Sequence, residues 1–138
     1  MTTTTSDISV VICTYTEARC DELTAAVESV RCQSSPALEI IVVIDHNPHL
    51  FEQVQARIGG VVTVQNRGRR GLSGARNTGI ETARGSIVAL LDDDAVAAPD
   101  WLAQLNAGYD DPRVLVVGGS AEPVWVDGKP GWFPEEFH

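Results

Sequence analysis

The sequence is poor in the residues that build disulfide-stapled, zinc-bound or membrane-spanning proteins. Its three cysteines, Cys13, Cys20 and Cys32, are odd in number and lack C-x-x-C spacing, so neither a disulfide framework nor a zinc site is indicated. A reducing, cytoplasmic setting is the default expectation. No apolar run approaches the ~18 residues of a membrane span; the longest, IIVVI at 40–44, is the length of a strand. Basic residues are also scarce. Ten Lys and Arg against nineteen Asp and Glu give a net charge of −9, which argues against a nucleic-acid backbone as partner. The opening MTTTTSD has neither the basic start nor the apolar stretch of a secretory signal, and residues 1–7 read as a flexible polar tail.

What is present suffices for one domain: 138 residues, 43% of them hydrophobic, can bury a core. Continuous apolar, β-branched runs at 8–13, 39–44 and 86–91 look like strands buried on both faces, with shorter strands expected at 61–64 and 114–118. Between them, helices are expected at 21–33, with Leu23, Ala26, Val27 and Val30 on one face, at 49–58, at 73–83 behind a Ser73 cap, and from Pro99 to about Ala107. Alternating strands and helices predict an α/β fold with a parallel, doubly wound sheet. Ligands of such sheets bind beyond the carboxyl ends of the strands. Three polar clusters fall there: Thr14 to Glu17, Asp45, and Asp92 to Asp94.

Two of these segments carry chemistry. LLDDDA (90–95) sets three carboxylates directly after a buried strand, with Asp92 and Asp94 on one side of an extended backbone. Hard divalent cations prefer such oxygens and complete their shell with substrate phosphates; a solvated acidic loop is the plainer alternative. GLSGARNTGIETARG (71–85) places Gly74 and Gly79 inside a helix, each at about 0.5–1 kcal/mol against Ala. Either a ligand approaches the backbone there or the helix packs close to the sheet. Arg76 adds a planar cationic fork suited to an anion, and is expected to matter more than Arg69 or Arg70 in the preceding loop. His46, His49 and His138 lack a ligand spacing and read as loop residues.

Together these segments resemble glycosyltransferase family 2, the inverting nucleotide-sugar enzymes of the Rossmann-like GT-A fold. VVICTYTEAR (10–19) is similar to the family's opening strand and nucleotide loop. GLSGARNTGI (71–80) is similar to its G-x-x-x-A-R-N-x-G segment, and LLDDDA to its D-x-D strand end. The resemblance covers residues 8 to about 126. It departs at His46-Asn47-Pro48 after Asp45, at Thr16, and at Ala95 after the acidic triplet. Two readings outside the family stay open: a nucleotidyltransferase, whose Gly-rich loop after strand one CTYTEAR lacks, and a non-catalytic nucleotide-binding or assembly module.

The resemblance implies transfer of a sugar, with inversion, from a nucleoside diphosphate sugar, expected to be a UDP-sugar, to an acceptor hydroxyl. That acceptor could be a polysaccharide, a lipid-linked sugar or a protein glycan. It implies a nucleoside pocket of Thr14, Tyr15, Glu17 and Asp45 with Arg76 nearby, Asp92 and Asp93 at the ribose, and Asp94 holding Mn²⁺ or Mg²⁺. It also implies a catalytic base in a second, acceptor-binding half. Glu122, Glu135 and Glu136 are the only Glu residues after the acidic triplet, and none has that context. The base is therefore expected beyond residue 138, the unit 8–118 is expected to bind the donor, and 119–138 to begin the connection onward. The chain reads as a fragment whose parent could associate with the cytoplasmic face of a membrane.

Overall fold

The apolar, β-branched runs become the strands, and the amphipathic stretches between them the helices. The computed structural model describes residues 6–134. In chain order it holds β1 (Ile8–Thr14), α1 (Cys20–Arg31), β2 (Glu39–Ile44), α2 (Pro48–Arg57), β3 (Val62–Gln65), α3 (Leu72–Thr82), β4 (Ile87–Asp92) and α4 (Trp101–Ala107). A 3-10 turn, Glu17–Arg19, leads into α1. Every strand pairing is parallel, in the order β3-β2-β1-β4. The chain therefore steps outward from β1 to β3, and α3 then carries it back to the far side of β1. That reversal opens a crevice at the carboxyl ends of β1 and β4, where Cys13 lies beside Asp92 in register.

Strand alternation divides the core. Ile8, Val10 and Ile12 with Ile40, Val42 and Ile44 pack against Leu23, Val27 and Val30 of α1, Leu50 and Val54 of α2, and Leu102 of α4. Val11, Ile41 and Val43 face the other way, onto Ala75 of α3. Helices thus cover both faces, as doubly wound sheets require. On the α3 side the fit is close: a Cβ at Gly79 would stand 2.4 Å from Val11 Cγ1 and 3.2 Å from Val43 Cγ2. Gly79 is the close helix–sheet contact.

Several local expectations need correction. Ser73 does not cap α3; it lies in the first turn, and the N-cap is Gly71, whose φ of 118° suits only glycine. Gly74 is required by packing within the chain, because a Cβ there would lie 1.9 Å from the carbonyl oxygen of Arg69. What approaches Gly74 is the chain's own loop. His49 stands in the first turn of α2, behind an Asn47 cap whose side chain accepts from Leu50 N–H at 3.0 Å.

The run 114–118 forms no strand. Leu115 and Val116 are 87% and 83% exposed, and Val117 alone of the run packs against the core. An apolar run has strand propensity, but a strand exists only where a neighbouring backbone aligns with it. Ser6, by contrast, is tied to Pro36 O through both its N–H and its hydroxyl, and Ile87 N–H donates to Asp7 O. Residues 1–5 of the expected tail lie outside the described residues, as do Glu135, Glu136, Phe137 and His138. Among the described residues no helix is long and apolar enough to cross a membrane.

Candidate functional site

Three strand ends converge on one cleft of about 520 Å³, lined by Cys13, Thr14, Tyr15, Arg19, Asp45, Arg70, Gly71, Leu72, Ala75 and Asp92 to Asp94. From β1 come Thr14, buried with its hydroxyl unpartnered, and the exposed ring of Tyr15. The chain then turns: Thr16 Oγ1 accepts from Ala18 N–H at 3.3 Å and starts the 3-10 turn. This turn aims Arg19 across the crevice. Its Nη1 lies 2.9 Å from Asp93 Oδ1 and 3.6 Å from Asp94 Oδ2, and its guanidinium stands 5.9 Å from the Tyr15 ring centroid.

From β2 comes Asp45, whose carboxylate is nearly saturated. Oδ1 accepts from Asn66 Nδ2 at 2.7 Å and from His46 Nδ1 at 2.8 Å; Oδ2 accepts from Gly71 N–H at 2.8 Å. An ionised carboxylate only accepts, so His46 carries its proton on Nδ1. Burial pushes the Asp45 pKa up, but the hydrogen bonds from Asn66, His46 and Gly71 outweigh it and hold the carboxyl below its ordinary range. Asn66 in turn orders the basic loop, donating to Arg69 O and accepting from Gly68 N–H and Thr78 Oγ1.

From β4 come the three aspartates, in a turn closed by Ala95 N–H on Asp92 O at 3.1 Å. They differ sharply. Asp93 is 4% exposed, and its Oδ2 is buried with no partner. Asp94 is half exposed beside it, and Asp92 faces Arg76 Nη2 at 3.2 Å. Among the described residues no three His, Cys, Asp or Glu side chains cluster closely enough to cage a metal by themselves. The Cys13 thiol, pushed up to about 11 chiefly by burial, stays protonated and is no nucleophile at neutral pH.

Of the residues expected from sequence, Thr14, Tyr15, Asp45, Asp92, Asp93 and Asp94 meet in this cleft. Glu17 does not line it; Asn47 Nδ2 and His49 Nδ1 hold Glu17 at 3.1 and 3.2 Å. Arg76 reaches it only through Asp92, whereas Arg70 lines it directly. Arg19, Asn66 and Gly71 were not among the expected residues. The segment VVICTYTEAR, similar to the family's nucleotide loop, ends on Arg19, but nothing in the sequence pairs it with Asp93. Nothing in the sequence marks the partnership of Asn66 and Gly71 with Asp45.

The family model described as Glycosyl transferase family 2 matches residues 9–136. The chain belongs to glycosyl transferase family 2. A glucosyl-dolichyl phosphate glucuronosyltransferase of Haloferax volcanii is 42% identical over 135 residues, 95% of this chain and 43% of that protein. The succinoglycan biosynthesis protein ExoO of Rhizobium meliloti is 30% identical over 128 residues, 89% of this chain and 35% of its own. Among solved structures, the mannosyltransferase PcManGT of Pyrobaculum calidifontis, in complex with GDP-Man and Mn²⁺, matches with a TM-score of 0.64. It is 27% identical, over 81% of this chain and 34% of that one. TarS of S. aureus in complex with UDP-GlcNAc, at 24% identity and a TM-score of 0.58 over 75% of this chain and 31% of its own, shares the fold. The chain spans less than half the length of these relatives.

Proposed function

We propose that residues 8–118 bind the nucleoside diphosphate sugar donor of an inverting family 2 glycosyltransferase, and that 119–138 lead toward an acceptor-binding half. The observation that carries this reading is the meeting of the β1, β2 and β4 carboxyl ends in one cleft, with Asp45 in its lining and the acidic triplet beside it. The relative bound to GDP-Man and Mn²⁺ supports it.

The residues fit a hard divalent cation. Asp93 keeps one buried carboxylate oxygen unpaired, and Asp94 stands half exposed next to it. One or two carboxylates are what Mg²⁺ or Mn²⁺ takes from a protein when substrate phosphates and water complete its shell. Asp94, with Asp93 behind it, would hold such an ion, which would supply Lewis-acid neutralisation of the leaving diphosphate. Asp92 is proposed to accept from the ribose, while Asp93, expected there from sequence, is proposed instead behind the metal because it is almost wholly buried. Thr14 and Tyr15 flank the nucleoside, Glu17 acts indirectly by fixing the loop through Asn47 and His49, and Arg76 restrains Asp92.

Asp45 favours a base with one imide N–H, as uracil and thymine have, over guanine. Three of its roughly four acceptor positions are already taken. One remaining lone pair matches the single imide N–H of uracil, whereas guanine presents two donors side by side. A UDP-sugar is the proposed donor. The acceptor hydroxyl is proposed to belong to a lipid-linked sugar, on the strength of the relative named for glucosyl-dolichyl phosphate. The base that deprotonates this hydroxyl is proposed to lie beyond residue 138.

Calorimetric titration of this chain with UDP, GDP and dTDP, each with Mn²⁺ or with EDTA, tests the reading. UDP with Mn²⁺ is expected to bind tightest. Equal, metal-independent heats for all three, or none, would count against it.

A further inference from the structure

The acidic triplet already has a cation. Arg19 Nη1 lies 2.9 Å from Asp93 Oδ1 and 3.6 Å from Asp94 Oδ2, so one guanidinium bridges the two carboxylates assigned to the metal. Three consecutive carboxylates repel one another, and Asp93 is almost wholly buried, where an uncompensated charge is costly. The pairing is incomplete, however. Arg19 reaches only one oxygen of Asp93, leaving Oδ2 unpartnered inside the protein. The arginine is also loosely held on its other side, 39% exposed and resting over the exposed Tyr15 ring at 5.9 Å. A tightly structural ion pair would be buried and bidentate. This one is single-toothed, half in solvent, and borne on a 3-10 turn at the mouth of the cleft.

From this we infer that Arg19 is the resident counter-ion of the Asp93–Asp94 pair and exchanges places with the incoming divalent cation. The inference rests on the metal reading proposed above. While the cleft is empty, Arg19 stabilises the triplet and competes with free metal. When metal arrives with a diphosphate, the carboxylates pass to the ion. The released guanidinium, pivoting over Tyr15, is then available to the anionic ligand. Metal and nucleotide therefore bind better together than apart: the metal must displace Arg19, and the diphosphate offers Arg19 a new partner. In this scheme Arg19 sets metal affinity through the charge it places on the carboxylates and, once released, contacts the diphosphate.

The test is calorimetric titration of Mn²⁺ alone, and of Mn²⁺ with UDP present, into wild type, Arg19→Gln and Arg19→Lys. Arg19→Gln is expected to bind Mn²⁺ alone about tenfold tighter than wild type, to gain less from added UDP, and to melt lower than wild type only while metal-free. Arg19→Lys keeps the charge and should stay near wild type. If Arg19→Gln binds Mn²⁺ alone no better than wild type, the exchange is overturned while the metal site stands. Absence of Mn²⁺ binding to every protein, with UDP or without, overturns the metal reading and this inference with it. Should Arg19→Gln not fold, the wild-type protein still decides. The Arg19 Nε–Hε NMR signal of ¹⁵N-labelled protein is expected to shift on adding Mg²⁺ with UDP. A signal that stays put while Mg²⁺ and UDP bind overturns the exchange.

Discussion

The backbone N–H of Gly71 donates to Asp45 Oδ2 at 2.8 Å, joining the end of β2 to the start of α3 across twenty-six residues. The same bond explains why α3 starts on a glycine. To point its N–H at Asp45, residue 71 takes φ 118° and ψ 166°, a region essentially closed to side chains. The carboxylate in the cleft lining and the cap of the helix behind the basic loop are therefore one unit.

That unit is tested by Gly71→Ala. Open space surrounds the position, so the substitution strikes no protein atom and destabilises the fold through backbone strain, while its methyl enters the cleft that Gly71 lines. It should cost about 1–3 kcal/mol, roughly 3–10 °C in Tm for a domain of this size. It should also weaken UDP binding, since Asp45 loses a partner. Differential scanning calorimetry and titration of the same variant check both effects; an unchanged Tm with unchanged affinity would break the link.

At Gly79 the mechanism is different. Its φ is ordinary, but an added methyl group would be driven into Val11 and Val43. Gly79→Ala should destabilise by about 1–3 kcal/mol through overpacking, measured by urea unfolding. Truncating the opposed side chain, as Val11→Ala/Gly79→Ala, should recover part of the loss. A double variant no better than the sum of its singles would place the strain elsewhere.

Asp94→Ala is expected to remove the metal-dependent part of UDP binding and to leave the fold intact, because the side chain is half exposed on a turn. The readout is the difference between Mn²⁺ and EDTA titrations, which should vanish in the variant while its Tm holds. An Mn²⁺ effect that persists at wild-type size would remove Asp94 from the metal site.

The basic residues should rank differently from the sequence-based expectation. Arg70 lines the cleft and Arg76 meets it only through Asp92. Arg70→Ala should therefore weaken UDP binding about tenfold, Arg76→Ala less, and Arg69→Ala least, in line with 1.4 kcal/mol per decade of affinity. Titration of the three variants under one buffer and salt condition decides the order.

Acid should unfold the domain through Glu39 and Asp45. Burial pushes Glu39 up, but donors on Ser9 Oγ, Arg84 N–H and Arg84 Nε prevail and hold it below 4.5; Asp45 likewise sits below 3.8. Groups whose pKa is lower folded than unfolded stabilise above the unfolded value and lose that contribution as pH falls through the folded one. Stability should thus be level near neutrality and decline below about pH 4.5. Glu39→Gln should cost about 1–2 kcal/mol at pH 7 and flatten the acid limb of a Tm-versus-pH series. An acid limb as steep as wild type would assign the transition to other carboxylates.

The sequence by itself determined the sheet, its helices and the place of the cleft. Uninterrupted β-branched runs such as Ile40–Ile44 favour strands buried on both faces, and short runs alternating with helices favour a parallel, doubly wound sheet. Once that is given, polar clusters at Thr14, Asp45 and Asp92–Asp94 must fall at one edge, because parallel strands all end on the same side. Local patterning is enough for such statements. The tertiary structure alone decided what each polar group does. Arg19 and Asp93 are 74 residues apart, Asp45 and Gly71 twenty-six, and Gly74 is required by a carbonyl on the preceding loop. Val114–Gly118 shows the same limit: its composition suits a strand, and no aligned neighbour makes it one. Side-chain direction, hydrogen-bond saturation and the presence of a partner strand depend on distances the chain acquires only on folding, so no periodicity in the sequence records them.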